Sequence, residues 1–285
     1  MKDPRNLGER FEANDALDAL ATPLHKVATA VLPRGDVKDA LHGVWLGHPL
    51  HPLLTDLPIG FWTSAWILDL VGGRKSAPAA QTLVGLGVAS ALPTAVAGLA
   101  DWSELGTPER RAGAVHAVTN LLATGLYARS YLARRRGRRA KGIAYGMVAA
   151  AAATAGGFLG GHLSYRRAAG VNQVASAASP DDWVAFEGTV PETEATPGTA
   201  AIEDTPVATF VVDGAVHALA DRCSHLGGPL HEGDVADGCV RCPWHGSTFR
   251  ITDGTVQRGP ATAPQPAYEI RTLDGAVQAR RKPPP

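Results

Sequence analysis

The sequence predicts a multi-domain chain, an N-terminal all-α four-helix transmembrane bundle followed by a C-terminal all-β domain. Three observations predict it. Four apolar stretches lie ahead of Ser164, each close to the ~20 residues that a helix needs to cross ~30 Å of hydrocarbon. After Ala168 the texture changes to short alternating runs punctuated by Asp-Gly turns. The formal charge is zero over 285 residues, yet it divides into +7 over Met1–Arg167 and −7 over Ala168–Pro285.

Composition narrows the function classes. With 45% hydrophobic residues the chain is not intrinsically disordered, and 27 basic against 27 acidic residues give no overall excess for nucleic-acid binding. Three cysteines cannot form a disulfide framework. The expected organisation is an N-terminal segment (1–40), a four-helix transmembrane domain (41–167), a linker (168–180) rich in Ala and Ser, and a β domain (181–285). Within the first segment, Phe11–Val27 has a helical pattern without chemistry of its own.

The four stretches are Leu53–Val71, Ala79–Ala100, Ala112–Leu132 and Ile143–Leu163. A soluble helix of this length would carry a charged face, and these lack one. In the fourth, Ala149, Ala153, Gly157 and Gly161 recur every four residues beside a second row, Gly156 and Gly160, the small-xxx-small pattern of helices that pack closely in lipid. The first loop carries Arg74 and Lys75; the third carries Arg134, Arg135, Arg136, Arg138, Arg139 and Lys141. The positive-inside rule places both in the cytoplasm, which makes the protein a multi-pass cell-membrane protein with its β domain extracytoplasmic. The basic residues before the first helix argue the other way.

In the β region, Val207–Val212 reads as a buried strand and Ala215–Ala220 as an alternating one. Asp213-Gly214, Asp253-Gly254 and Asp274-Gly275 read as turns. Many short strands with such turns imply a small sandwich or barrel. Inside it, Cys223 and His225 form a C-x-H pair, Cys242 and His245 a C-x-x-H pair, and sixteen residues separate them. Two thiolates and two imidazoles can hold zinc or a [2Fe–2S] cluster. Zinc sites favour like ligands paired; one Cys and one His on each loop suits a cluster in which both Cys hold one iron and both His the other.

These boxes, with Leu226-Gly227-Gly228-Pro229 after the first and Pro243 and Gly246 in the second, resemble the Rieske iron–sulfur domain over about residues 181–281. The resemblance implies a [2Fe–2S] cofactor, thiolate ligation of the inner iron by Cys223 and Cys242, and imidazole ligation of the outer iron by His225 and His245. Gly228 and Trp244 stand where the quinol-oxidising members have a pair of cysteines, so that disulfide is absent. Ser247 keeps a hydroxyl able to hydrogen-bond a bridging sulfide, whereas Phe249 replaces a tyrosine. Fewer hydrogen bonds to sulfur lower the potential, so the resemblance is to a Rieske-type ferredoxin with a potential on the order of −150 to +100 mV.

The helical half has polar residues of its own: His48, His51 and Asp56 around the start of the first stretch, His116 in the third and His162 in the fourth. Four crossings bring the histidines toward one face of the membrane. Three readings stay open: a b-type haem held by two of His48, His51, His116 and His162; a quinone site with Asp56 handling protons; or a structural polar network. The box His48-Pro49-Leu50-His51-Pro52 and the helices after it resemble a bacterial family of four-helix membrane domains of unknown function, sometimes fused to a Rieske domain. The functional expectation is single-electron transfer between a membrane redox partner and an acceptor, the partners being the lipid bilayer and unidentified donor and acceptor proteins or quinone, with no catalytic residue. The alternatives are a haem- or quinone-binding oxidoreductase and a membrane-anchored redox sensor.

Overall fold

The computed structural model describes residues 7–188, 190–191 and 196–283; Met1–Asn6, at the start of the N-terminal segment, lie outside the described residues. The chain divides into two compact units, one of Met1–Pro33 with Leu50–Ala169, the other of Arg34–Pro49 with Gly170–Pro285.

The first unit is helical. Two short helices, α1 (Leu7–Glu12) and α2 (Asp18–Val31), precede four long ones; between them in sequence, α3 (Asp36–His42) belongs to the second unit. The long helices are α4 (Leu50–Val71), α5 (Ala77–Trp102), α6 (Thr107–Arg135) and α7 (Arg139–Gly161), the last running into a π-helical turn at His162–Arg166. Helix α4 packs chiefly on α5, α6 chiefly on α7, and α5 joins the two hairpins through α6. Among the described residues, two helices, Ala77–Trp102 and Arg139–Arg166, the latter including the π turn, are long and apolar enough by composition to cross a membrane. Helix α4 carries Asp56 and Asp69, and α6 carries Glu109, Arg110, Arg111, Arg129, Arg134 and Arg135.

Part of that charge is consumed inside the bundle. Arg134 donates to both oxygens of Asp69, at 3.0 and 2.5 Å, with both side chains only 5% exposed, and Arg139 adds a contact at 3.2 Å. A buried ion pair holds only if its remaining polar atoms are also satisfied. Ser130 helps, accepting from Arg134 Nε at 3.2 Å and donating to the Gly142 carbonyl at 2.7 Å. Trp62 of α4 lies flat on Tyr127 of α6, ring centroids 4.0 Å apart. The row of α7 against α6 is Gly142, Gly146, Gly156 and Gly160, whose missing side chains would meet Arg134, Ser130, Asn120 and His116 in turn. Gly157, on the other predicted row, faces open space.

Among the described residues the second unit holds ten strands: β1 (Val184–Gly188), β2 (Gly198–Ile202), β3 (Thr205–Val212), β4 (Ala215–Ala220), β5 (Asp234–Ala236), β6 (Cys239–Arg241), β7 (Thr248–Arg250), β8 (Val256–Arg258), β9 (Ala267–Leu273) and β10 (Ala276–Arg281). Six close into an antiparallel barrel in the order β1-β10-β9-β4-β3-β2, and the other four form a sheet ordered β5-β6-β7-β8, inserted between β4 and β9. Asp213-Gly214 and Asp274-Gly275 each have positive φ at both positions, the type I′ geometry that matches strand twist. So does Asp237-Gly238, which joins β5 to β6. Asp253-Gly254 differs: Asp253 accepts from the Thr255 N–H at 2.9 Å and only Gly254 is left-handed.

Glu12 offers a test of how α1 is held. Its buried carboxylate accepts from His162 Nε2 at 2.8 Å and from Arg167 Nε at 2.8 Å. Arg167, and secondarily His162, hold its pKa below the ordinary 4.5 against the effect of burial. A depressed folded-state pKa stabilises fully above the unfolded value and loses that contribution as pH falls through the folded one. Thermal unfolding of the detergent-solubilised protein from pH 7 to pH 3 is expected to show a shallower acid slope and a lower pH 7 stability for Glu12→Gln. Identical slopes would contradict this assignment.

Candidate metal centre

Two loops of the inserted sheet carry the four candidate ligands, and the same two hydrogen bonds close both. In the loop after β4, the Cys223 N–H donates to the Gly228 carbonyl at 2.8 Å and the Gly227 N–H to the Cys223 carbonyl at 2.9 Å. In the loop between β6 and β7, the Cys242 N–H donates to the Ser247 carbonyl at 2.8 Å and the Gly246 N–H to the Cys242 carbonyl at 3.0 Å. Each loop therefore turns within about five residues and needs a left-handed residue to do so. Gly227 has φ +80° and Gly246 φ +75°.

This geometry gathers Cys223, His225, Cys242 and His245. The thiols of Cys223 and Cys242 are buried and hydrogen-bonded to one another. Backbone N–H groups aim at them, from His225 toward Cys223 and from Trp244 and His245 toward Cys242. The bond from Cys223, and then these amides, lower Cys242 to about 6, while the bond from Cys242 and burial push Cys223 up. The imidazoles of His225 and His245 stand 5.1 Å apart by centroid at 82°. Burial, then His245 and His42, lower His225 to about 3, so its imidazole is neutral at ordinary pH, as a ligand must be. Its Nδ1 is buried without a hydrogen-bond partner. Buried polar atoms without partners are rare and call for an explanation. A metal supplies one here. Two thiols side by side, two imidazoles at right angles and an orphaned ring nitrogen fit a [2Fe–2S] cluster.

The surroundings fix the loops. Ser247, fully buried, accepts from the Ala261 N–H at 3.0 Å and hydrogen-bonds the Cys223 sulfur. Phe249 is fully buried in the apolar cluster under both cysteines, with Leu230, Val240 and Ile251, and has no polar atom to offer. His231 is tied to Asp221 through Nδ1 at 2.8 Å, which steadies the first loop.

Several residues here carried no sequence signal. Gln265, 2% exposed, accepts from the Ser224 N–H at 2.9 Å and donates to the carbonyls of Ala220 and Arg222 at 2.8 and 2.9 Å. Helix α3, in a segment without assigned chemistry, packs on this unit. Asp39 accepts from Arg258 Nε at 2.9 Å and from the Gly259 N–H at 3.1 Å, and Asp36 accepts from Arg258 at 2.7 Å. Arg34 lies against Gly246, where an added Cβ would come within 2.6 Å of its Nη1. His42 is buried at the C-terminal end of α3 and acts electrostatically on His225. The cluster loops are therefore flanked by a helix that precedes the long helices in sequence.

The histidines of the helical half do not form one group. His48 is exposed and lies in the second unit. His162 is bonded to Glu12, and Asp56 is exposed on α4. His51 and His116 approach each other, ring centroids 6.4 Å apart at 84°.

Comparison with known proteins agrees with this geometry. Residues 182–269 match the family model "Rieske [2Fe-2S] domain", and residues 47–173 match "Predicted membrane protein (DUF2231)". The anthranilate 1,2-dioxygenase ferredoxin subunit of Burkholderia cepacia is 38% identical over 86 residues, covering 30% of this chain and 80% of that protein. A 3-phenylpropionate/cinnamic acid dioxygenase ferredoxin subunit of Escherichia coli is 37% identical over 90 residues, covering 31% of this chain and 81% of that one. Among solved structures, the Sphingomonas yanoikuyae B1 ferredoxin matches 36% of this chain and all of its own at 25% identity, with a TM-score of 0.31.

Two variants test this geometry. A Cβ on Gly228 would lie 2.8 Å from Cys242 Sγ and 2.9 Å from the Trp244 ring. Gly228→Ala is expected to cost about 1–3 kcal/mol by overpacking and to lower iron per chain measurably; unchanged iron would contradict the close fit. Asp39→Ala is expected to raise amide hydrogen exchange over residues 36–43 while leaving exchange in β9 and β10 unaltered. Unchanged exchange over 36–43 would mean that the Arg258 contacts do not hold α3.

Proposed function

Because the chain belongs to the Rieske [2Fe–2S] proteins and carries a DUF2231 domain ahead of that module, we propose that it is a membrane-bound one-electron carrier. Cys223 and Cys242 hold the inner iron and His225 and His245 the outer one. The buried, partnerless Nδ1 of His225, next to two mutually bonded thiols, is the observation that carries this assignment. The cluster supplies a single-electron couple at this site. The protein holds it with imidazoles on one side and amide-supported thiolates on the other. Ser247 bonds sulfur while Phe249 cannot, which favours the lower or middle part of the Rieske range.

Partner exchange occurs at the second ligand loop. Trp244 is 56% exposed and stands edge-on to His245 at 6.3 Å, so an apolar docking surface adjoins a ligand imidazole. The ferredoxin subunits of dioxygenases similar to this domain support a redox protein as the partner. The role is electron transfer.

All four long helices cross the membrane in this reading. Helices α5 and α7 meet the requirement by composition. Helix α4, 22 residues long, and α6, 29 residues long, reach far enough, and pairing of Asp69 with Arg134 and Arg139 lowers the cost of their charges. Loop charge favours an extracytoplasmic cluster domain.

The test is compositional. Full-length protein produced in cells that assemble iron–sulfur clusters is expected to contain two non-haem irons and two acid-labile sulfides per chain and to fractionate with membranes after alkaline washing. Cys223→Ser or Cys242→Ser is expected to remove both. Absence of acid-labile sulfide, with or without non-haem iron, would overturn the cluster assignment, and release by the wash would overturn the membrane assignment.

A further inference from the structure

His51 and His116 are presented by the same local device, built twice. His51 is the second residue of α4, and its Nδ1 lies 2.9 Å from the Thr94 carbonyl of α5. His116 lies in the first half of α6, and its Nδ1 is 2.8 Å from the Gly156 carbonyl of α7. In each case the residue four positions beyond that carbonyl is a glycine. A Cβ on Gly98 would come within 2.7 Å of His51 Cε1, and one on Gly160 within 3.1 Å of His116 Cε1. Each hairpin thus clears space beside a helix and bonds an imidazole to the carbonyl there.

A carbonyl only accepts, so both Nδ1 atoms carry the proton and both Nε2 atoms keep a lone pair. Metal-ligating histidines are commonly held this way. The separation is informative too. With metal–nitrogen bonds of about 2.0–2.1 Å and about 1.15 Å from ring nitrogen to ring centre, imidazoles on opposite sides of one metal have centroids about 6.3–6.5 Å apart, whereas imidazoles at right angles on one metal have them about 4.5 Å apart. His51 and His116 stand at 6.4 Å, while His225 and His245 stand at 5.1 Å. Asn120 Nδ2 is 3.3 Å from both ring nitrogens of His116. Being equidistant from the two, it does not lie along the Nε2 lone pair.

Two opposed imidazoles leave the equatorial positions of an octahedral metal to be filled. A planar macrocycle brings its own equatorial donors, and its apolar faces suit apolar helices. His162 is bonded to Glu12 instead.

We propose that His51 and His116 are the two axial ligands of one b-type haem, one ligand from each helical hairpin. The site is independent of the iron–sulfur cluster: it stands or falls without the assignment of Cys223, His225, Cys242 and His245.

The experiment is haem quantification and optical spectroscopy on the full-length chain, produced with added haem precursor, purified in detergent and titrated with hemin. The expected result is one haem per chain with a six-coordinate low-spin spectrum when reduced. His51→Ala and His116→Ala are each expected to lower haem per chain at least tenfold, or to leave a high-spin spectrum. His48→Ala and His162→Ala are expected to retain wild-type haem and spectrum. Acid-labile sulfide and elution volume, measured on the same samples, establish that each variant is folded. Failure of the wild-type chain to retain haem after titration would overturn the proposal, as would an unaltered haem spectrum in folded His51→Ala or His116→Ala. Loss of sulfide with haem retained would count against the cluster and leave the haem assignment in place.

Discussion

The closure of two short loops by paired backbone hydrogen bonds is the constraint on which the redox centre depends. Each loop must bring a thiol and an imidazole to the same side within a few residues, and each does so by bonding the N–H of its cysteine forward and the carbonyl of that cysteine to a left-handed glycine. Replace either glycine and the backbone can follow this path only with strain. Since the loops are stapled to the barrel by Gln265 and to the core by Ser247, Phe249 and Leu230, the donors are arranged before any metal arrives. Such preorganisation keeps the ligand geometry of an electron carrier nearly constant between its two oxidation states.

The helical half follows a different logic. Its long helices expose apolar residues outward, Leu57, Leu92, Leu121 and Phe158 among them, and keep polar groups for specific interior bonds. Asp69 with Arg134 and Arg139, Glu12 with His162 and Arg167, and Asp18 with Arg111 join segments far apart in sequence. The Asp69 and Glu12 arrangements are the demanding ones, because an unpaired charge in such buried surroundings costs several kcal/mol. Ion pairs in this unit thus select one packing of the helices, and small residues on α7 allow α6 to approach closely enough for them to form.

The most legible parts of the sequence were those that depend on local spacing. The ligand boxes, the Asp213-Gly214 and Asp274-Gly275 hairpins and the four apolar stretches each follow from residues a few positions apart. The parts that escaped depend on contacts across the chain. Gln265 is one polar residue among many until folding sets it between Ala220, Arg222 and Ser224. Asp39 and His42 lie in a segment without a motif, and only the packing of α3 on the ligand-loop unit gives them a role. The histidines of the helical half looked alike in sequence, yet Glu12 engages His162 and two helix carbonyls single out His51 and His116.

The central claim is that two imidazoles and two thiolates share one cluster, and pulsed electron paramagnetic resonance on the reduced full-length protein tests it most directly. The account predicts hyperfine coupling from two distinct ring nitrogens, one lost in His225→Cys and the other in His245→Cys, in protein that retains iron and sulfide. A reduced cluster without nitrogen coupling, or with coupling unaltered in either variant, would contradict it.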